Sequence, residues 1–148
     1  MTQRRKKNPY KLRWFQATTL YSSLGLLFLS GLALFFRVGF EKDWTHIWLQ
    51  IHSYTVPLFL VSFGALLAKH ATLAWKANRN RPSGTVIVLF CAVLIVSGTL
   101  LYYLSSETVR EITKGIHTWT GFLLALVLPG HIVAGLLSRK KYDHPKKS

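Results

Sequence analysis

The reading turns on HTWTGFLLALVLPGH, residues 117–131, an uncharged and mostly apolar run closed at both ends by histidine. As a helix rising 1.5 Å per residue, the run holds its two imidazoles roughly 21 Å apart. At 100° per residue, the second ring returns to within about 40° of the face of the first. Two titratable rings on one stripe of an apolar helix therefore stand near opposite surfaces of a bilayer. Ionisable side chains within a membrane span are costly and mostly functional, so this stripe needs an explanation from the rest of the chain.

Working outward from that run, four stretches lack Asp, Glu, Lys and Arg: Trp14 to Phe36, Trp44 to Ala68, Pro82 to Ser106 and Gly115 to Ser138. Each reaches the roughly 20 residues that a helix needs to cross a hydrocarbon core. No fixed-period repeat or low-complexity segment stands out, and the connections leave no room for a separate soluble domain. Short connections make consecutive spans antiparallel neighbours. The expected fold is all-α, a transmembrane up-down four-helix bundle forming a single domain over residues 1–148.

Half of the 148 residues are hydrophobic, yet the net charge is +14. The basic residues form clusters between the uncharged runs, a membrane pattern rather than a nucleic-acid-binding face. Arg4, Arg5, Lys6, Lys7, Lys11, Arg13, Lys69, Lys76, Arg79, Arg81, Arg139, Lys140, Lys141, Lys146 and Lys147 fall on one side of a four-span chain. Only Arg37, Lys42, Arg110 and Lys114 fall on the other, with Glu41, Asp43, Glu107 and Glu111. The excess of Lys and Arg on the cytoplasmic side of membrane proteins predicts both termini in the cytoplasm. Trp14 and Trp75 then mark the inner interface, and Trp44, Trp48, Trp119, Tyr102 and Tyr103 the outer one. The first span follows a basic segment as a signal peptide does, but its length and the lack of an A-x-A site predict a retained anchor.

Local chemistry fits these limits. Thr108-Val109-Arg110-Glu111 reads as a capping box that starts the fourth helix outside the membrane, and Arg81-Pro82-Ser83-Gly84 as a break before the third. Pro57 and Pro129 fall inside spans two and four, where each frees a carbonyl and is expected to bend the helix. The single cysteine, Cys91, sits in an apolar run and reads as a small buried hydrophobe. It leaves no partner for a disulfide and no CxxCH for covalent haem.

The second span answers the fourth. His52 and His70 are 18 residues apart, five α-helical turns, so they share a face and stand roughly 27 Å apart. Both spans run in the same direction. His52 and His117 thus share the outer depth, and His70 and His131 the inner. Each pair is placed to give the two axial ligands of one haem iron. Zinc is the rival metal, but it favours tighter clustering with Cys or carboxylate partners. The 6 Å difference between the two intervals leaves about 3 Å of stagger at each end, with His70, beside Lys69, the least secure ligand. His46 and His144 read as interfacial and solvated residues.

On the pairs His117/His131 and His52/His70, the chain resembles the four-helix di-haem b-type cytochromes of bacterial membranes, the cytochrome b subunits of respiratory dehydrogenases and hydrogenases. The resemblance implies two non-covalent bis-histidine haems b carrying electrons across the membrane. It implies exchange with the quinone pool, and a redox partner protein or larger respiratory complex. It also implies glycines where porphyrin meets the other two helices, matched here by Gly25/Gly39 and Gly84/Gly98. The 18-residue spacing departs from the family pattern. Haem propionates are acidic and call for basic partners: Arg37, Arg110 or Lys114 outside, and Lys69, Arg79, Arg81 or Arg139 inside.

No nucleophile, carboxylate pair or phosphate loop appears, so catalysis reduces to quinone chemistry at a haem edge, within a quinone-linked oxidoreductase complex. Glu107 and Glu111, which could take protons from a quinol there, read instead as solvated. The competing class is a haem-free membrane transporter, channel or assembly and anchoring subunit, with histidines that relay protons or bind a transition metal.

Overall fold

The computed structural model describes residues 14–37, 42–76 and 81–143, all of them helical apart from two short bends. Helix α1 is Trp14–Phe35 and α2 is Lys42–Leu66, which passes through a π-helical turn, Leu67–Ala71, into the short α3, Thr72–Lys76. Helix α4 is Arg81–Tyr103 and α5 is Glu107–Asp143. The all-α expectation holds, and four helical segments are long and apolar enough to cross a membrane: α1, the α2–α3 rod, α4 and α5. A chain with such helices meets lipid over much of its surface.

Helix ends depart from the uncharged limits for local reasons. Helix α5 begins at Glu107, with the Arg110 amide bonded to the Ser106 carbonyl at 3.0 Å, so the cap lies two residues before the expected Thr108. Helix α4 begins at Arg81, and Pro82 sits in its first turn, where a missing N–H costs nothing. The Pro-Ser-Gly sequence therefore opens the helix rather than preceding it. Helices α2 and α5 continue through Pro57 and Pro129. Helix α1 ends with Arg37 at φ 49°, the left-handed position usually given to glycine. Its amide reaches the Leu34 carbonyl at 3.4 Å.

The chain forms two compact units, divided between Arg79 and Asn80. Each is a helical hairpin, α1 with α2–α3 and α4 with α5. In the second hairpin the seam repeats every seven residues. Gly84, Cys91 and Gly98 lie along α4, while His117, Leu124 and His131 lie along α5. A seven-residue repeat is the seam of a left-handed helix pair, which absorbs the 20° per heptad by which a straight helix drifts. Cys91 and Leu124, at the middle of the two rows, are 3% and 4% exposed, so Cys91 packs as the expected small hydrophobe.

The first hairpin has a comparable seam. On α1 the buried residues are Leu20, Ser23, Ser30 and Ala33, and on α2 they are Thr55, Phe59 and Phe63. The rings of Phe59 and Phe63 stack with centroids 5.4 Å apart. Small residues such as Ser23 and Ser30 let two backbones approach in a setting where lipid gives no hydrophobic drive to associate. Many other large apolar side chains point away from both seams; Val61 and Leu126 are 74% and 75% exposed. An apolar surface of this extent fits acyl chains.

Candidate functional site

Helix α5 presents His117 and His131 to the same neighbour, as their spacing requires. Nδ1 of His117 is 3.0 Å from Ser97 Oγ, and Nδ1 of His131 is 2.9 Å from Ser83 Oγ. Each serine is followed by a glycine that makes room for the ring. A Cβ on Gly98 would stand 3.1 Å from Cε1 of His117, and one on Gly84 would stand 3.6 Å from Cε1 of His131. The Ser-Gly pairs are 14 residues apart on α4, matching the histidines on α5, so one antiparallel register serves both.

The first hairpin repeats the arrangement once. Ser30 Oγ is 2.9 Å from Nδ1 of His52, and Gly31 faces Cε1 of the same ring at 3.6 Å. Ser30-Gly31, Ser83-Gly84 and Ser97-Gly98 are the Ser-Gly dipeptides of this sequence, and each meets a histidine. The dipeptide was the available signal, and the histidine spacings alone do not reveal it.

These serines also settle a protonation state. Ser30 Oγ is 2.6 Å from the Leu26 carbonyl, and Ser97 Oγ is 2.6 Å from the Val93 carbonyl. A hydroxyl has one proton, and a carbonyl can only accept. Each serine thus donates back to its own helix and must accept from the histidine. His52 and His117 are therefore Nδ1–H tautomers, with the basic lone pair on Nε2. This is the usual state of a metal-ligating imidazole, whose second nitrogen donates to a fixed acceptor.

His70 differs. It lies within the π turn Leu67–Ala71, and its Nδ1 is buried with no hydrogen-bond partner among the described residues. The expected alignment with His52 assumed five α turns. A π turn closes i to i+5 and takes more residues per turn, so an 18-residue interval no longer returns to the same face. The structure gives His70 none of the serine support of the other three rings.

The remaining expectations divide. Gly25 has nothing within 4 Å of its would-be Cβ, so Gly31, not Gly25, is the glycine of α1 that lies against a histidine. Gly84 and Gly98 make room for imidazoles of their own hairpin. Gly39, Arg79, His144 and the side chain of Arg139 lie outside the described residues. Arg37 and Arg110 are exposed, as are Glu107 and Glu111. Lys114 pairs with Glu111 at 3.3 Å. His46 is exposed and contacts Gln50 at 3.1 Å, as befits an interfacial residue. Trp48 is half-buried, and its Nε1 meets no hydrogen-bond partner among the described residues. Among the described residues no three His, Cys, Asp or Glu side chains converge, the grouping that a structural zinc requires.

In the first hairpin Ser30 and Gly31 thus hold His52, and in the second the Ser-Gly pairs of α4 hold His117 and His131. No protein-family model, curated protein or solved structure matches this chain.

Proposed function

We propose that this chain is a di-haem b-type cytochrome that carries electrons across a bacterial inner membrane, between the quinone pool and a partner redox protein. The observation that carries the reading is the contact of Nδ1 of His52 and His117 with serines that also bond backbone carbonyls, an arrangement that favours the Nδ1–H tautomer. A proton-relaying imidazole must exchange protons at both nitrogens. These rings have one nitrogen committed as donor to a fixed oxygen, which suits a metal ligand.

His52 and His117 are the ligands of the outer haem, and His70 and His131 those of the inner, paired by depth along spans that run in the same direction. Haem iron supplies one-electron chemistry when bound. The chain's own part is to orient the rings and surround them with apolar side chains. Arg37 and Arg110 at the outer surface, and Arg79 and Arg139 at the inner, are the candidate partners of the propionates. Both termini lie in the cytoplasm, and a larger respiratory complex is the expected context.

The test is a visible spectrum of the purified protein before and after dithionite, with a pyridine haemochrome assay. Two haems per chain, extracted by acid-acetone, are expected. A well-folded chain with less than one haem would overturn the reading and return the histidines to a haem-free transporter, channel or anchor.

A further inference from the structure

Two side-chain polar atoms among the described residues are buried without a hydrogen-bond partner, Nδ1 of His70 and Nε1 of Trp48. Trp48 is the more demanding of the two. An indole nitrogen has one hydrogen to donate and accepts nothing, so no change of tautomer relieves it. Buried donors in folded proteins are almost always paired. The surroundings of Trp48 also set it apart. From Trp44 to Gln50 every other residue is exposed, and Trp48 alone is half-buried. It precedes His52 by four residues, so the two side chains lie one above the other on one face of α2, about 6 Å apart along the axis. His52 fixes the direction of that face through its contact with Ser30 of α1, and the buried Thr55, Phe59 and Phe63 continue it. The protein offers the indole no acceptor there. The backbone carbonyls beside Trp48 belong to the α2 ladder, Gln50 contacts His46, and the Ser53 hydroxyl donates to the Leu49 carbonyl.

We infer that Trp48 donates its indole N–H to a propionate of the haem whose iron His52 holds. The inference rests on the di-haem reading and uses residues of the first hairpin alone. Haem is apolar except at the edge that carries its two carboxylates, and that edge turns towards the nearer polar surface. Trp48 lies on that side of His52, because α2 begins at Lys42 and Asp43, where charge resumes. A haem anchored on His52 with its acidic edge towards Lys42 therefore brings a carboxylate past the indole. An ionised carboxylate only accepts and an indole only donates, so the two match. A hydrogen bond to a charged acceptor is roughly twice as strong as one between neutral groups. Exposed basic side chains attract a propionate through a field that salt screens. The Trp48 bond is directional and buried, so it fixes how the porphyrin is turned about the bond from iron to His52.

Full-length protein produced without haem, then titrated with protohaem or with iron octaethylporphyrin, which carries no carboxylate, tests this. Trp48→Phe keeps the aromatic packing and removes the donor. It should weaken protohaem binding about tenfold or more, at the site that is lost in His52→Ala, and leave octaethylporphyrin binding unchanged. Trp44→Phe, on an exposed neighbour, should change neither. A second measurement needs no variant: the hydrogen-bond-sensitive indole band in the ultraviolet resonance Raman spectrum of the parent chain. That band should move when protohaem binds and stay when octaethylporphyrin binds. Equal losses for the two porphyrins in Trp48→Phe would assign the residue to packing and overturn the inference. So would unchanged protohaem affinity, or a loss confined to the haem that survives in His52→Ala. An indole band that moves with added phospholipid but not with protohaem would give the acceptor to a lipid headgroup and overturn it as well. All of these outcomes leave the di-haem reading standing, whereas a chain that binds neither porphyrin refutes the cytochrome reading itself.

Discussion

A methyl group at Gly98 would stand 3.1 Å from Cε1 of His117, closer than a carbon can rest against a ring carbon without displacement. Gly98→Ala requires the imidazole to give by a few tenths of an ångström, and overpacking of this kind costs about 1–3 kcal/mol where the neighbour is held in place. Gly25→Ala has nothing within 4 Å to meet and should be tolerated. Thermal unfolding in detergent, with the haem content of each variant, separates the two. Ser97→Ala probes the partner atom instead. It removes the hydroxyl at Nδ1 and should lower haem retention by 10–100-fold, read by competitive transfer to an acceptor apoprotein. Retention equal to that of the parent would show that the Ser97 bond does not support the ligand. At this scale the sequence showed that His117 and His131 share a face but not what holds them. Which hydroxyl meets which ring depends on how two helices rotate about each other, and no spacing within one helix contains that rotation.

Among the helices, α5 was the most legible. Its 14-residue histidine interval is two heptads, and both rings do face α4. Helix limits were less so, because an uncharged run measures the hydrocarbon core while a helix continues into the charged interface, as α5 does from Glu107 to Asp143. The π turn was not legible at all. An interval of 18 residues fits five α turns, and nothing in Leu67–Ala71 announces an extra residue in the ladder. The end of α1 offers a direct test of element stability. Arg37 adopts φ 49°, a region that disfavours a Cβ by about 1–2 kcal/mol. Arg37→Gly should raise the midpoint of thermal unfolding, and Arg37→Ala should not. Equal midpoints for the two would mean that this turn relaxes by another route. Comparing haem retention in Arg37→Lys and Arg37→Gly then isolates the charge that a propionate would use.

Taken whole, the chain divides between Arg79 and Asn80 into two hairpins, each with its own seam. Residues 1–79 and 80–148, expressed together as separate chains, should both insert and recover the haem content of the intact protein. Recovery below a tenth would show that the connection is needed for assembly rather than only for tethering. Topology has its own check: reporter fusions at Ser148 and beside Lys42 should face opposite sides of the membrane, the first in the cytoplasm. The number of spans was readable from charge-free runs, but the twofold plan was hidden, because Ser30 and His52 are separated by 22 residues and Ser97 and His117 by 20. Unequal loops defeat a search for a fixed period. A pair of helices brings the polypeptide back to the leaflet it left. A hairpin joined in tandem to a copy of itself therefore keeps the same polarity in both copies, whereas duplicating one helix or three would invert the second. The Ser-Gly-to-His contact, made by Ser30-Gly31 with His52 and by Ser97-Gly98 with His117, is thus a unit of two helices and not of one.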